Sequence, residues 1–331
     1  MIGRIVRRFD RWQQQSKTAG FVVGVVKKYG DDRGNQLAAL VTFSAFLSFF
    51  PLMLVIVTIT AFVAQRSPDL AERIRTSAVA EFPVVGSELT GDQQALTGTG
   101  LGLGVGLAAL MWGGFGFTQA IQYAFHEVWH VPHKDRPSLV NRTKRGFGVL
   151  CLLGLALVAS MILGLLGSLV RGSLVVGAVG LFGACVASSG LVLAVFWLLS
   201  PRRLSLRELL PGAILAGLGW QGLQTIGVRL VSHQLRRSSD LYGAIGAALG
   251  LVWFLLLSTH ILLYALEITA VRKDRLWPRS IIQPPLTGPD IELLSTMAKQ
   301  EERRPEEQVT VRFDLPAKPL RGSVRAKHNH G

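Results

Sequence analysis

Charge is what this chain lacks over long stretches. Of its 331 residues, 17% are charged and 49% are hydrophobic, where a soluble domain carries about a quarter charged residues. Acid is scarcer than base, with 21 Asp and Glu against 35 Lys and Arg, so the formal net charge is +14. Only two cysteines occur, Cys151 and Cys185, both inside apolar runs. That excludes a disulfide framework, a CxxC redox pair and a cysteine metal site. No Walker A loop, G-x-S-x-G elbow or GxGxxG after a strand occurs, so a nucleotide-driven pump and a serine hydrolase lose their usual signatures. No basic and aromatic face of a nucleic-acid module can be traced, so nucleic acid is not expected as a partner. The first 36 residues hold eight basic residues and no apolar stretch followed by a small-residue cleavage site, so the first hydrophobic run is expected to stay as a span.

The places where charge is missing are informative. None occurs between Arg33 and Arg66, Asp92 and Glu127, Arg145 and Arg171, Arg171 and Arg202, Glu208 and Arg229, or Asp240 and Glu267. A helix needs about 20 apolar residues to cross a hydrocarbon core of roughly 30 Å. The sequence therefore predicts an all-α, polytopic integral membrane bundle of six transmembrane helices. The spans fall near Leu37–Ala64, Gly100–Ala124, Phe147–Val170, Val175–Leu199, Leu209–Val231 and Gly243–Val271. The third and fourth are joined by a short turn around Arg171. Residues 1–36 form a basic N-terminal segment, 37–271 the membrane domain and 272–331 a basic tail.

Lys and Arg fall unevenly on the two sides of such a bundle. The side bearing both termini carries 28 of them and the other side 7. Basic loops stay in the cytosol, which places both termini there and brings anionic lipid headgroups to that face. Outside the spans, Gly20–Tyr29 reads as an interfacial helix. Pro68–Phe82 has apolar residues at helical spacing behind Ser67 and reads as a short helix on the outer face. The proline-rich, charged tail after Trp277 is expected to be largely disordered.

Polar side chains inside spans are costly and mark candidate function. They form stripes at helical spacing. Ser44 and Ser48 lie in the first, Gln119, Gln122 and His126 along the second, Gln221 and Gln224 in the fifth, and His260, Tyr264 and Glu267 in the sixth. Most fall in the cytosolic half, which suggests one cytosol-facing polar cavity. The plainer reading is hydrogen bonding between helices. Glu267 is the one acid within a predicted span, and Arg272 or Lys273 is in reach to pair with it. The glycines of span 2, Gly100, Gly102, Gly104, Gly106, Gly113 and Gly116, permit close helix approach.

His126-Glu127-Val128-Trp129-His130 is a literal H-E-x-x-H, which on a helix can hold zinc between the two His, with the Glu as general base. Pro132 should end that helix just after the second His. The longer metalloprotease pattern fails, because His133 stands where Gly belongs and Arg136 where the last His belongs. No metal, no cofactor and no enzyme activity are expected, and a membrane metalloprotease through His126, Glu127 and His130 is the distant alternative.

Leu37-Ala38-Ala39-Leu40 leading to Phe43, Ser48 and Pro51, then Pro211-Gly212-Ala213 with Trp220, then Tyr242-Gly243, Gly246, Trp253 and Ala265-Leu266-Glu267, resemble the YihY/BrkB family of bacterial inner-membrane proteins. The resemblance runs from about residue 20 to residue 275. Two departures stand out. The family often has Asn near the end of the second span, where His126-Glu127 stands here, and the Gly and Asn that commonly flank the sixth-span acid are Ala265 and Thr269. The resemblance implies six spans in the bacterial cytoplasmic membrane and no secure catalytic set. A ribonuclease label once given to members finds no nuclease-type cluster in these residues. The functional expectation is a transporter or flippase for a small solute, ion or lipid. The alternative is a non-catalytic membrane scaffold for envelope assembly. Substrate, envelope partners and oligomeric state are not legible in the sequence.

Overall fold

The computed structural model describes residues 2–64, 100–169, 174–201, 204–234, 240–283 and 285–314. Every long element among them is an α-helix: α1 (Ile2–Gln15), α2 (Lys17–Asp31), α3 (Gly34–Ala64), α4 (Gly100–Val128), α5 (Leu139–Leu169), α6 (Leu174–Leu199), α7 (Leu206–Gln234), α8 (Asp240–Asp274) and α9 (Gly288–Gln300). The expected outer helix over Pro68–Phe82 and the turn around Arg171 lie outside the described residues.

Local chemistry sets several boundaries. Ser16 caps α2 by accepting from the Ala19 amide at 3.4 Å. The chain turns sharply into α3 through Arg33, whose φ is +55°, and Gly34 sits where a Cβ would collide with the Tyr29 ring. α4 stops at Val128, and His130 adopts φ +45° just before Pro132. That is where the proline was expected to end the helix.

Six long helices close a ring in chain order: α3 packs on α4, α4 on α5, α5 on α6, α6 on α7, α7 on α8, and α8 back on α3. The main core joins Leu37 and Val41 of α3, Phe125 and Trp129 at the end of α4, Val149 near the start of α5, Phe196 and Leu199 of α6, Leu209 of α7, and Leu263 and Leu266 of α8. Beginnings and ends therefore alternate at one face, hereafter basal, so the ring is an up-and-down bundle. Burial is concentrated there. Beyond Val149 no described residue of α5 is buried, and none of α6 before Val195. Further along, Phe49, Met53 and Ile56 of α3 and Leu251 of α8 form a separate, smaller buried cluster.

Among the described residues, five helices are long and apolar enough to cross a membrane: the windows Gly34–Thr58, Gly104–Val128, Leu139–Ser160, Ala178–Leu199 and Ala248–Asp274. The expected fifth span, Leu209–Val231, falls in α7, which has the length but carries Gln221, Gln224 and Arg229. α6 ends at the base and α8 runs toward it, so α7 traverses the bundle between them. The glycines divide. A Cβ on Gly113 would touch Ser48 Cα at 3.1 Å and one on Gly106 would touch Val55 at 3.3 Å, so both serve α3–α4 packing. Gly104 and Gly116 meet nothing within 4 Å.

Two expectations need correction. The helix expected over Gly20–Tyr29 runs from Lys17 to Asp31 and does not simply lie on a surface. Its Gly20, Gly24, Val25, Lys28 and Tyr29 are buried, and it packs on α8. The tail is not largely disordered over 275–314. Leu276 and Leu293 join Val25 and Val271 in a second core, and Thr287 and Asp290 cap α9 reciprocally. Proline and charge, read as disorder, here build a strap. Gln13 donates to the Arg279 carbonyl at 2.7 Å and the Ile281 amide to Asp10 at 2.9 Å. Buried Arg279 binds Asp31 at 2.8 Å and Asp290 at 2.9 Å. Asp290 also accepts from Lys27 at 3.0 Å and from the Ser280 amide at 3.0 Å. Its carboxyl is held well below the usual range; burial opposes this, and the hydrogen bonds to Ser280, Thr287 and Lys27 outweigh it.

Candidate functional site: a buried charge cluster at the base

Lys28 is the centre of the basal end. It is 1% exposed and projects from the buried stripe of α2 into the junction of α4 and α8. Its Nζ donates to Asp32 Oδ2 at 2.5 Å, to the Val128 carbonyl at 2.8 Å and to Glu267 Oε2 at 2.9 Å. An ammonium has three donors, and these three acceptors use them all. Burial works against the Lys28 charge, but Glu267 and Asp32 more than offset it and hold its pKa above the ordinary lysine value. Glu267 is fully buried. The expected pairing of Glu267 with Arg272 or Lys273 is therefore corrected: its partner is Lys28, and Lys273 pairs with Glu208.

A second layer surrounds this centre. His130 Nδ1 lies 3.0 Å from Gln300 Oε1, and His130 Nε2 lies 3.3 Å from Asp32 Oδ1. Gln300 Nε2 donates to Glu127 Oε2 at 2.7 Å, and Arg136 donates to Glu127 Oε1 at 2.8 Å. His133 Nδ1 bonds the Gln300 carbonyl at 2.7 Å. Burial holds the His130 imidazole below its ordinary range, with Asp32 pulling the other way and Lys28 adding to the fall. Glu127 and His130 of the H-E-x-x-H run are thus engaged with protein, and His126 is buried. Among the described residues no three His, Cys, Asp or Glu are placed to hold a metal.

The polar residues expected to line one cavity fall into separate groups. Ser44 and Ser48 bond carbonyls of their own helix. Gln122 bridges α4 and α5 by donating to the Thr118 and Arg142 carbonyls at 3.2 and 3.1 Å. Gln221 ties α7 to α6 through Ser188 at 2.7 Å. Gln119 and Gln224 are half-buried on α4 and α7. Tyr264 stacks on Tyr29 at 4.2 Å, and His260 approaches Asn35, which also accepts from the Tyr29 hydroxyl at 3.1 Å. An open cleft of about 230 Å³ adjoins that last group, lined by Tyr29, Gly30, Arg33, Gly34, Asn35 and Gln36. Of the ten residues, only Glu267 belongs to the charge cluster.

A sequence profile described as Virulence factor BrkB matches residues 25–285. The chain belongs to this family. Among known members, "Putative ribonuclease-like protein YfkH" of Bacillus subtilis (strain 168) is 26% identical over 267 residues, covering 77% of this chain and 96% of YfkH. "Inner membrane protein YhjD" of Escherichia coli (strain K12) is 24% identical over 288 residues, covering 79% of this chain and 84% of YhjD. No solved structure matches. With its apolar helices, this BrkB-family chain is a multi-pass membrane protein. Lys28, Asp32, His130 and Glu267 all lie within the BrkB match, whereas Gln300 and the rest of α9 lie beyond it.

Lys28, Asp32 and Gln300 were missed as site residues. The signal for Lys28 was present: Phe21, Gly24, Val25 and Lys28 share one face of α2, so a lysine stands on an apolar stripe.

Proposed function

We propose that this chain is a transporter or flippase, with six crossings and both termini in the cytosol, whose cytosolic gate is the Lys28–Asp32–Glu267 cluster. The observation that carries this reading is the ionic cluster buried at the base of the ring. Lys28 joins Asp32 beside α2, the Val128 carbonyl of α4 and Glu267 of α8 there. A passive scaffold could seal its base with apolar side chains, often at no loss of stability. Ionisable groups kept within a membrane bundle are usually functional. On the same side, Arg7, Arg8 and Arg11 of α1 flank exposed Phe9 and Trp12, a composition suited to anionic headgroups.

Sidedness is testable by single-cysteine labelling. Cysteine at Ser87 should react with an impermeant maleimide on intact cells, and cysteine at Ser323 only after lysis; the reverse would overturn the topology. Transport is testable in proteoliposomes of phosphatidylethanolamine and phosphatidylglycerol, with NBD-labelled phosphatidylglycerol and a trapped pH dye as probes. Glu267→Gln should change the movement of one probe at least severalfold relative to wild type. If neither protein moves either probe faster than protein-free vesicles do, the scaffold reading replaces transport.

A further inference from the structure

Hydrogen-bond directions in the second layer fix more than the distances do. Glu127 binds Arg136 through Oε1, so it is an acceptor, and the Gln300 group 2.7 Å from its Oε2 must be the amide nitrogen. Gln300 therefore turns its carbonyl oxygen to His130, whose Nδ1 must carry the hydrogen. A neutral His130 then presents a bare Nε2 to Asp32 Oδ1 at 3.3 Å, two acceptors face to face. Glu267 Oε1 is likewise buried with no donor among the described residues, and the Glu267 and Asp32 carboxylates share the one Lys28 ammonium, at 2.9 and 2.5 Å.

Charge counting reaches the same place. Around Lys28 stand Asp32 from α2 and Glu267 from α8; from the α4 end come His130 and Glu127, the latter neutralised by Arg136; α9 contributes the uncharged Gln300. With both carboxylates ionised and His130 neutral, one cation faces two anions in a space closed to water. An uncompensated buried charge is strongly unfavourable.

We propose that this cluster is a proton-binding site holding one proton, seated on the Asp32–Glu267 carboxylate pair, with the His130–Asp32 gap as a second seat. The proton adds to a carboxylate or imidazole lone pair, and no other bond changes. Either seat turns an acceptor pair into a donor–acceptor pair and makes the cluster neutral. Moving between seats carries the proton from α8 toward the turn after α4. The site lies within the proposed gate, so its functional meaning rests on that reading. Its occupancy is read spectroscopically and stands apart from whether transport is found.

The test is infrared spectroscopy of the full chain in nanodiscs at neutral pH. A carboxylic-acid carbonyl band that shifts in D2O and disappears in Glu267→Gln supports the first seat. An imidazolium signal lost in His130→Gln supports the second. If Glu267→Gln does not fold, wild-type protein labelled with carboxyl-13C glutamate and, separately, aspartate asks the same question: the acid band must move with one of the labels. Two ionised carboxylates together with a neutral His130 at neutral pH would overturn the proposal.

Discussion

A Lys28→Met variant should be strongly destabilised, because methionine leaves Asp32 and Glu267 buried without their cation. Removing one member of a buried ion pair costs about 3–5 kcal/mol, a large share of a stability of roughly 5–15 kcal/mol. The Val128 carbonyl would also lose its donor. Adding Asp32→Asn and Glu267→Gln to Lys28→Met should recover much of the loss, since no ionisable group of the three is then left buried without its partner. This non-additivity separates an electrostatic origin from simple loss of packing. Detergent-solubilised yield and the thermal unfolding midpoint, followed by intrinsic fluorescence, provide the measurement. A single variant within ~0.5 kcal/mol of wild type, the range of neutral surface changes, would mean that Lys28 does not hold the base together.

That cluster also marks how far the sequence can be read. The bundle is legible because a membrane forces long uncharged runs and internal satisfaction of backbone groups, and the positions of Arg33, Glu127, Arg145 and Arg202 bracket the spans. The family is legible from short motifs spread along the chain. The partner of Glu267 is not. Arg272 and Lys273 are nearest in sequence, yet they lie at i+5 and i+6, away from the face one turn on that suits a helix pair. Lys28 comes from 239 positions earlier, through a packing of α2 on α8 that no local pattern announces. The strap was hidden for a related reason. Pro278, Pro284, Pro285 and Pro289 read as breakers of a core, but between 275 and 290 the chain is held by side chains of α1 and α2: Gln13 and Lys27 donate to its carbonyls and Asp10 accepts from its Ile281 amide. Stripes of Gln and Ser were visible, but their use was not. A glutamine facing a neighbouring helix and one facing a void have the same spacing, and only the neighbour decides between them.

The same dependence on neighbours makes two glycines of α7 sensitive to the smallest substitution. A Cβ on Gly217 would stand 2.7 Å from the Ser189 backbone nitrogen and 2.8 Å from its Cα, on α6. On Gly212 it would stand 2.5 Å from the Ala265 carbonyl oxygen and closer still to Thr269 Oγ1, on α8. Five residues apart on a helix, the two positions point roughly 140° away from each other, so α7 is gripped from both sides. Neither obstacle is a flexible side-chain end alone: Ser189 presents backbone, and Thr269 is itself tied to the Ala265 carbonyl at 2.9 Å. Helices in lipid associate by close packing and hydrogen bonds rather than by escape from water, so moving α7 outward forfeits contacts that nothing replaces, including the Gln221–Ser188 bond. Gly217→Ala and Gly212→Ala should each cost about 1–3 kcal/mol, the range for overpacking. Gly222, one turn further along, meets nothing within 4 Å. There alanine should be neutral or stabilising by up to ~1 kcal/mol through helix propensity. Thermal unfolding midpoints of the three variants in one detergent compare them directly. A Gly217→Ala protein as stable as Gly222→Ala would show that α6 and α7 do not approach so closely at Ser189.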